Sequence, residues 1–253
     1  PGARLRTIRL RGQISQGLLL PLTGDHQEGD DLTELFGIQK YEAPIPAQLA
    51  GQIRGNFPSF IPKTDQERIQ NLRTEIVEWT DRDTTWEVTE KLDGSSMTVY
   101  LYQDEFGVCS RNLDLKDGEN NSFWCAAKEN NLEEKLRSIG RNLALQGELI
   151  GNGIQKNPYG LNGHEFYLFD IYDIDAGRYM NFEERHAIFP DMEINHCPII
   201  GILKLDTCEQ LLAFAEAKSM LNASTEREGV VFKCVEFECS FKAISNKFLL
   251  AEK

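Results

Sequence analysis

From residue 86 onward the sequence is dominated by short apolar segments with the pattern of β-strands. Such segments occur at 86–92, 96–104, 108–112, 143–150, 166–172, 229–235 and 239–245. A single helix is expected over about 122–139, and two more open near Asn181 and Asp206, so strands and helices do not alternate regularly. Because parallel strands need a crossover between them, this order predicts an α+β fold with mainly antiparallel sheets flanked by helices.

Composition and charge limit the classes of protein to which the chain can belong. Its 253 residues are 41% hydrophobic and 26% charged, which is typical of a globular protein rather than a disordered or fibrous one. With 27 basic and 40 acidic residues the net charge is −13, so no overall cationic field attracts a polyanion. A polynucleotide partner would therefore need a local basic groove or metal ions.

The sequence also bears on cellular location. No apolar run approaches the ~18 residues of a membrane span, so we expect no membrane association. Six cysteines are scattered without a Cys-x-x-Cys pair, which is typical of buried, reduced thiols. We therefore expect an intracellular protein, in the cytoplasm or nucleus, in a reducing compartment.

The first 63 residues differ in amino-acid composition from the rest of the chain. A Gly- and Asp-rich patch at 24–31 is followed by a stretch interrupted by four prolines, Pro44, Pro46, Pro58 and Pro62. Such punctuation favours long ordered loops and a strand or two that lie on a neighbouring core. We expect an N-terminal extension over residues 1–63 and a main domain over residues 64–253.

The main domain is expected to open with a helix. Thr64-Asp65-Gln66-Glu67 has the spacing of a capping box, in which the first and fourth side chains satisfy backbone N–H groups at a helix start. Behind this segment, one helical face collects the apolar residues Ile69, Leu72, Ile76 and Val77.

A candidate nucleophile, Lys91, lies in the segment Glu90-Lys91-Leu92-Asp93-Gly94. A lysine at a strand end followed by Asp-Gly places an amine beside a carboxylate and a tight turn. An amine becomes nucleophilic when neighbouring cations or desolvation lower its pKa. By itself the motif is weak, because a charged residue that enters a hairpin turn has the same sequence.

Other polar residues on apolar strands strengthen this interpretation. Glu148 ends one strand, Glu228 begins another, and Lys242 belongs to the last. In an antiparallel sheet, side-chain alternation could aim all three and Lys91 into one cleft. An amine nucleophile, cations for phosphate and carboxylates for a metal ion suit phosphoryl or nucleotidyl transfer. Judged singly, each carboxylate could equally be a solvated strand end.

In order and spacing these segments resemble the motifs of the covalent nucleotidyltransferase superfamily of ATP-dependent ligases and mRNA capping enzymes. Five similar segments span residues 86–247, namely Lys91-x-Asp93-Gly94, Ser110-Arg111-Asn112, Phe166 to Asp173, Glu228-Gly229-Val230-Val231-Phe232-Lys233 and Phe241-Lys242. The Ser95-Ser96 extension and Gly147-Glu148-Leu149-Ile150-Gly151 resemble RNA ligases. Arg54-Gly55-Asn56-Phe57-Pro58 and the closing segment at 241–248 are similar to the Deinococcus- and Naegleria-type RNA ligases.

The resemblance implies an ATP-grasp-like nucleotidyltransferase fold and an ATP-dependent RNA ligase. Lys91 would attack the α-phosphate of ATP to form a lysyl-AMP, and AMP would pass to the 5′-phosphate of an RNA before a 3′-OH displaces it. The RNA could be a nicked duplex, and a monomeric protein is expected. The resemblance assigns catalysis to Lys91, Lys242 and Arg111, and it adds Glu90, Glu148, Phe169, Glu228 and Lys233 as nucleotide-binding residues.

The resemblance further implies a divalent ion, Mg²⁺ or Mn²⁺, held by Asp93, Glu148 and Glu228, directly or through its waters. Hard carboxylate oxygens are suitable ligands for such ions. Ile244 departs from the pattern, because related ligases often carry a second lysine there, a role that Lys247 could take. Related ligases also carry an N-terminal OB-like domain, so residues 1–63 would be an extension packed on the core or the remnant of a linker to such a domain.

Three other functions stay open at this point. An mRNA-capping guanylyltransferase shares the lysine chemistry but uses GTP, and an ATP-dependent DNA ligase would differ in its polynucleotide. A non-catalytic nucleic-acid-binding module is the third. The intact Lys91, Glu148, Glu228 and Lys242 argue against the module, because ionisable groups on apolar strands are costly without a function.

Overall fold

The computed structural model describes residues 5, 8–10, 13–15, 17–22, 24–38 and 51–251. The chain forms two compact units, Pro1–Ile45 and Pro46–Lys253. In the first unit, β1 (Ile8–Leu10) and β2 (Gln13–Ser15) pair as an antiparallel hairpin. Part of the predicted extension lies outside the described residues and its end falls inside the second unit, so the division at residue 63 stays a prediction.

Short strands and short helices make up the second unit. Its described strands are β3 (Ile53–Asn56), β4 (Glu67–Arg68), β5 (Thr85–Lys91), β6 (Ser95–Tyr102), β7 (Glu105–Ser110), β8 (Leu113–Leu115), β9 (Leu143–Gly151), β10 (His164–Asp173), β11 (Arg178–Tyr179), β12 (Ile199–Lys204), β13 (Gly229–Cys234) and β14 (Ser240–Ile244). Its described helices are α1 (Arg73–Asp81), α2 (Ser122–Glu129), α3 (Leu132–Ile139), α4 (Phe182–Met192), α5 (Cys208–Ala215) and α6 (Asn246–Ala251). No helix among the described residues is long and apolar enough to cross a membrane.

The strands of this unit form two sheets. Within the described residues, one sheet has the order β11-β10-β9-β6-β7-β8-β3 and the other has the order β12-β5-β13-β14-β4. The strand pairs in both sheets are antiparallel, except that β14 and β4 run parallel. The predicted α+β class with mainly antiparallel sheets is confirmed.

One hydrophobic cluster fixes the strands that carry the candidate site residues. Trp86, Phe232 and Phe241 are fully buried, and the rings of Phe232 and Phe241 stack with their centroids 4.8 Å apart. Since alternate residues of a strand point to opposite faces, burial of Phe232 on one side of β13 turns Val231 and Lys233 to the other. That other side faces β10, because Lys233 pairs there with Asp170.

The prediction that the first helix begins at Thr64 is wrong. The Thr64 hydroxyl lies 3.0 Å from the Ser96 hydroxyl, and the backbone of β4 pairs with β14. A backbone that pairs with a strand cannot also form a helix, so α1 begins later, after a 3-10 turn at Ile69–Asn71. Ile69 and Ile76 are buried as predicted, but Val77 is exposed.

The predicted helix over 122–139 is two helices, α2 and α3. The break lies at Asn131, which adopts a left-handed backbone with φ of 52°. Asparagine tolerates this conformation better than most residues. The Asn121 side chain caps α2 by accepting hydrogen bonds from the backbone N–H groups of Phe123 and Trp124.

Candidate functional site

Lys91 and Glu228 form a hydrogen-bonded ion pair at the adjoining ends of two strands. Lys91 ends β5 and stands opposite Gly229, the first residue of β13, so the preceding Glu228 lies beside it. The Lys91 Nζ is 2.7 Å from Glu228 Oε2, and the side chains are 23% and 16% exposed. The two segments are far apart in sequence, and the register of the sheet brings them together.

The turn after Lys91 packs tightly on β9. A Cβ added to Gly94 would lie 2.4 Å from the Leu149 carbonyl oxygen and 2.9 Å from the Glu148 side chain. Only glycine allows this approach, because any other residue would force the two backbones apart. The close packing carries Glu148, Asp93 and Lys91 into one neighbourhood, as the sequence predicted for Glu148 and Lys91.

The groups around Lys91 shift one another's protonation. Burial alone would lower the pKa of the Lys91 ammonium, but the carboxylates, Glu228 first and then Glu148 and Asp93, outweigh burial and raise that pKa above its ordinary value. Burial raises the pKa of Glu148 to about 8, against the attraction of Lys91. Burial also raises the pKa of Glu228. Lys91 is therefore an ammonium in the resting protein and must lose a proton before it can act as a nucleophile.

Glu148 gives the folded protein a pH-dependent stability. Because its pKa rises from 4.5 to about 8 on folding, folding favours the protonated carboxyl. This stabilisation is complete below pH 4.5 and is lost as the pH rises towards 8. We expect Glu148→Gln and wild type to melt within about 3 °C of each other near about pH 5, and the variant to melt on the order of 10 °C higher near about pH 8.5.

Thermal unfolding at the two pH values measures this effect. The matched control is Glu226→Gln, because Lys218 lowers the pKa of the partly exposed Glu226 and reverses the sign of its pH dependence. A melting-temperature difference for Glu148→Gln that does not change with pH would contradict the assignment.

A small cavity of about 30 Å³ adjoins Lys91 and is lined by residues of both sheets. Phe169 of β10 and Val231 of β13 belong to its walls, together with Glu90, Glu148 and Cys197. Glu90 is almost fully buried, and its Oε2 accepts a hydrogen bond from the backbone N–H of Met220, 2.7 Å away. Its Oε1 has no hydrogen-bond partner among the described residues. A buried acceptor without a donor is costly, so this pocket suits a ligand that brings an N–H group.

Lys242 belongs to the same neighbourhood. It stands opposite Val231 on β14, and burial together with the positive charge of Lys91 lowers its pKa. Ile244, where a second lysine was expected, is buried. Lys247 lies in α6 and pairs with Glu216 at 3.5 Å while 61% exposed.

Arg111 lies at the surface. Its guanidinium is 64% exposed and 2.5 Å from the carboxylate of Asp65, which is also exposed. Asp65 belongs to the segment that links β3 to β4, and this segment contacts β6 through Thr64. The structure thus gives Arg111 a weak, solvent-screened partner that a phosphate could replace.

Lys233 is held away from solvent. Its Nζ is 2.8 Å from Asp170 Oδ2 and also donates a hydrogen bond to the Phe169 carbonyl oxygen. It lines a larger cleft of about 810 Å³, which shares Phe169 and Gln66 with the small cavity. The larger volume does not mark the reaction centre, because Lys91 is absent from its described lining residues.

One family of known proteins matches the chain. The family model for RNA ligases matches residues 84–244. The chain belongs to the RNA ligase family. The prediction of a covalent nucleotidyltransferase of the RNA ligase type, made from five ordered motifs, is confirmed.

Solved structures of an RNA ligase from Naegleria gruberi are similar to this RNA ligase family member. A lysine-to-methionine variant with AMP and Mn is 49% identical with a TM-score of 0.76, and the match covers 98% of this chain and 76% of that chain. An arginine-to-alanine variant with ATP and Mn is 49% identical with a TM-score of 0.76, covering 99% and 77%. The same ligase with pyrophosphate is 50% identical with a TM-score of 0.76, covering 98% and 76%. No curated protein matches the chain.

The acidic groups around Lys91 fit a divalent cation that keeps part of its water shell. Within the described residues, no three His, Cys, Asp or Glu side chains form a group that could hold a metal ion by itself. Burial raises the pKa of Glu148, and the negative charges of Glu228 and Asp93 add to that rise against the attraction of Lys91, so a cation beside these three carboxylates would favour their ionised forms. Ions such as Mg²⁺ commonly bind through one or two carboxylates, waters and substrate phosphates.

Two side chains that hold the turn after Lys91 were not identified from the sequence. The Tyr159 hydroxyl accepts a hydrogen bond from the backbone N–H of Asp93 at 2.7 Å. The Gln155 side chain donates to the Gly94 carbonyl oxygen at 2.9 Å. Both belong to the glycine-rich loop after β9. The glycines indicated a shaped loop, but no spacing in the sequence links it to a turn more than 60 residues earlier.

Proposed function

We propose that this member of the RNA ligase family is an ATP-dependent RNA ligase that forms a lysyl-AMP on Lys91, passes AMP to an RNA 5′-phosphate and joins that end to a 3′-OH. The observation that carries the proposal is the enclosed Lys91–Glu228 pair beside a pocket with Phe169 and Val231 in its walls. The solved structures of a similar ligase with ATP or AMP support this choice of nucleotide.

Glu90 favours adenine over guanine in the pocket. Its buried Oε1 is an acceptor to which no described residue donates a hydrogen bond. The amino group of adenine can donate a hydrogen bond to it, whereas guanine carries a carbonyl oxygen at the equivalent ring position and would be repelled. Phe169 provides an aromatic face on which a base can stack. These features favour an adenylyltransferase over a capping guanylyltransferase.

In the first step the Lys91 Nζ attacks the α-phosphorus of ATP in line with the leaving group. An N–P bond forms while the bond to the pyrophosphate oxygen breaks. The proton of the ammonium passes to Glu228 Oε2, which already accepts its hydrogen bond at 2.7 Å. Lys242, close enough to Lys91 to have its pKa lowered, contacts the α-phosphate and stabilises its growing charge.

A divalent ion fits beside this reaction as a neutraliser of phosphate charge. The carboxylates of Glu148, Glu228 and Asp93 would hold it, partly through water. Arg111 would exchange Asp65 for a ribose or phosphate group of the bound nucleotide. Lys233 would act on the nucleotide indirectly, because its ammonium donates a hydrogen bond to the carbonyl oxygen of Phe169.

The two later steps return Lys91 to its free state. An oxygen of the RNA 5′-phosphate attacks the phosphorus of lysyl-AMP, and the N–P bond breaks as the amine leaves and regains a proton. The 3′-hydroxyl of the second end then attacks the 5′-phosphate, and AMP leaves with the bridging oxygen. The proposed substrate is an RNA with these two ends, a nicked duplex among the candidates.

We further propose an intracellular location, in the cytoplasm or nucleus, in a reducing compartment. All six cysteines are free thiols, and four of them are buried. Such thiols persist where disulfides do not form.

Intact-protein mass spectrometry tests the proposal. After incubation with ATP, GTP or NAD⁺ and Mg²⁺ or Mn²⁺, we expect an AMP-sized increase with ATP alone, because the Lys91 amine and the Glu90 acceptor suit adenylate. A GMP-sized increase would identify a capping-type guanylyltransferase. A folded protein that forms no adduct with any nucleotide would support a non-catalytic binding module instead.

A further inference from the structure

Four charged side chains form a buried cluster between the two sheets. Their side chains are 3% exposed at Glu87, 4% at Arg185, 7% at Lys233 and 14% at Asp170. Two cations face two carboxylates, so the cluster is formally neutral. Removing one charged member of such a cluster leaves an uncompensated buried charge.

Glu87 has both of its carboxylate oxygens occupied by α4. Arg185 Nη2 lies 2.6 Å from Oε2, and His186 Nε2 lies 2.7 Å from Oε1. A second guanidinium nitrogen, Nη1 of Arg185, lies 3.6 Å from Asp170 Oδ1. Two consecutive residues of one helix therefore contact both oxygens of Glu87, and the first of them, a guanidinium, neutralises its charge and also lies near β10.

Two carboxylates, those of Glu87 and Asp170, lie near Lys233. Glu87 is its direct cross-strand neighbour on β5, and directly opposed residues of antiparallel strands have side chains in contact range. Asp170 belongs to the other sheet, yet the Lys233 ammonium pairs with Asp170 at 2.8 Å. The nearer neighbour in register is thus not the ion-pair partner, and the charge of its carboxylate is already compensated by Arg185.

The Lys233–Asp170 pair lies next to the walls of the nucleotide pocket. Asp170 follows Phe169 directly in β10, and Lys233 is two residues after Val231 on the same face of β13. The Lys233 Nζ also donates to the Phe169 carbonyl oxygen and lies 5.8 Å from the centre of the Phe169 ring. The pair bridges the two sheets at the place where one contributes Phe169 and the other contributes Val231.

We propose that Arg185, Glu87 and His186 are positioning residues for the nucleotide pocket. By neutralising Glu87 and contacting both of its oxygens, Arg185 and His186 direct Lys233 across to Asp170, and this bridge fixes the spacing of Phe169 and Val231. The inference rests on the proposed function, because it assigns the base to this slot. Without Arg185, Glu87 competes for the Lys233 ammonium, the bridge opens and the slot widens.

Steady-state analysis of self-adenylylation with ATP and Mn²⁺ tests the inference. We expect Arg185→Met to raise KM for ATP about tenfold with kcat within about twofold, because the variant loses positioning of the base rather than the nucleophile. We expect the added substitution Glu87→Gln to return KM to within about threefold of wild type, because an amide competes poorly for the ammonium. A merely structural role would make the double variant worse than the single one.

A more exposed position keeps the test informative if Arg185→Met does not fold. His186 is 33% exposed, so His186→Ala is expected to fold and to raise KM about threefold, a rise that Glu87→Gln removes. Arg141→Met is the matched control, because Arg141 pairs with Asp173 on the same strand as Asp170 but outside the cluster, and its KM should not change.

Two kinds of failure are distinguishable. Wild-type protein that forms no adduct overturns the proposed function. Active wild type with an unchanged KM in the folded Arg185→Met or His186→Ala variant, or a raised KM that Glu87→Gln does not lower, overturns the positioning role and leaves the proposed function intact.

Discussion

Replacing Lys91 with alanine is expected to reduce formation of the AMP adduct by at least about 10³-fold, because the side chain that accepts the nucleotide is removed. Lys91→Arg is expected to lose the adduct to the same extent. The guanidinium keeps a positive charge beside Glu228 and so preserves the pair, but it stays protonated and is not a nucleophile. The measurement is adduct mass and yield after incubation with ATP and Mn²⁺.

A surface lysine provides the control for this result. Lys204 is half-exposed and pairs with Asp83, so Lys204→Ala should form the adduct at the wild-type level. An adduct that survives in both Lys91 variants would mean that another residue is the nucleophile, and peptide mapping would then locate it.

Replacing Glu228 with glutamine is expected to slow adduct formation about 10²- to 10³-fold at saturating ATP, because general-base help of this kind contributes that much. The amide has nearly the size of the carboxylate and can hydrogen-bond to Lys91, but it cannot take the ammonium proton. We expect KM for ATP to change less than kcat. Rapid-quench measurement of the adduct over time gives both quantities.

Glu226→Gln is again the matched control, since Glu226 lies two residues earlier and pairs with Lys218 outside the pocket. Its rate should stay within about twofold of wild type, because exposed pairs contribute little. A Glu228→Gln rate within about threefold of wild type would transfer the proton-accepting role to another group, with Glu148 the nearest candidate by its raised pKa.

The local sequence correctly predicted the features that depend on a single strand. Each predicted strand is present within a few residues of its expected position, because alternation and apolar runs are properties of the strand itself. The same regularity put Lys91, Glu148 and Glu228 in one neighbourhood. Side-chain alternation allowed these polar groups to share a cleft, and the register of the strands decided that they do.

The local sequence gave wrong helix boundaries at two places. The capping-box pattern at Thr64 describes a helix start that the chain could form alone, but pairing of β4 with β14 uses that backbone instead. The long helix over 122–139 was expected from composition, and a single left-handed residue, Asn131, divides it. At β4, long-range pairing overrides local helix propensity, because the strand satisfies the backbone groups that the helix would have used. The break at Asn131 is a local change of backbone conformation.

The sequence by itself determined the fold class, the candidate nucleophile and the kind of chemistry, because these depend on the order of strands and on which side chains they carry. Tertiary structure alone decided which partner each charge finds. Lys233 pairs with Asp170 rather than with its neighbour Glu87, and Arg111 pairs with Asp65 at the surface. Tyr159 reaches the turn after Lys91 from a loop that no spacing connects to it. Charges and hydrogen bonds act over a few ångströms in space, and only the packing of the two sheets sets those distances.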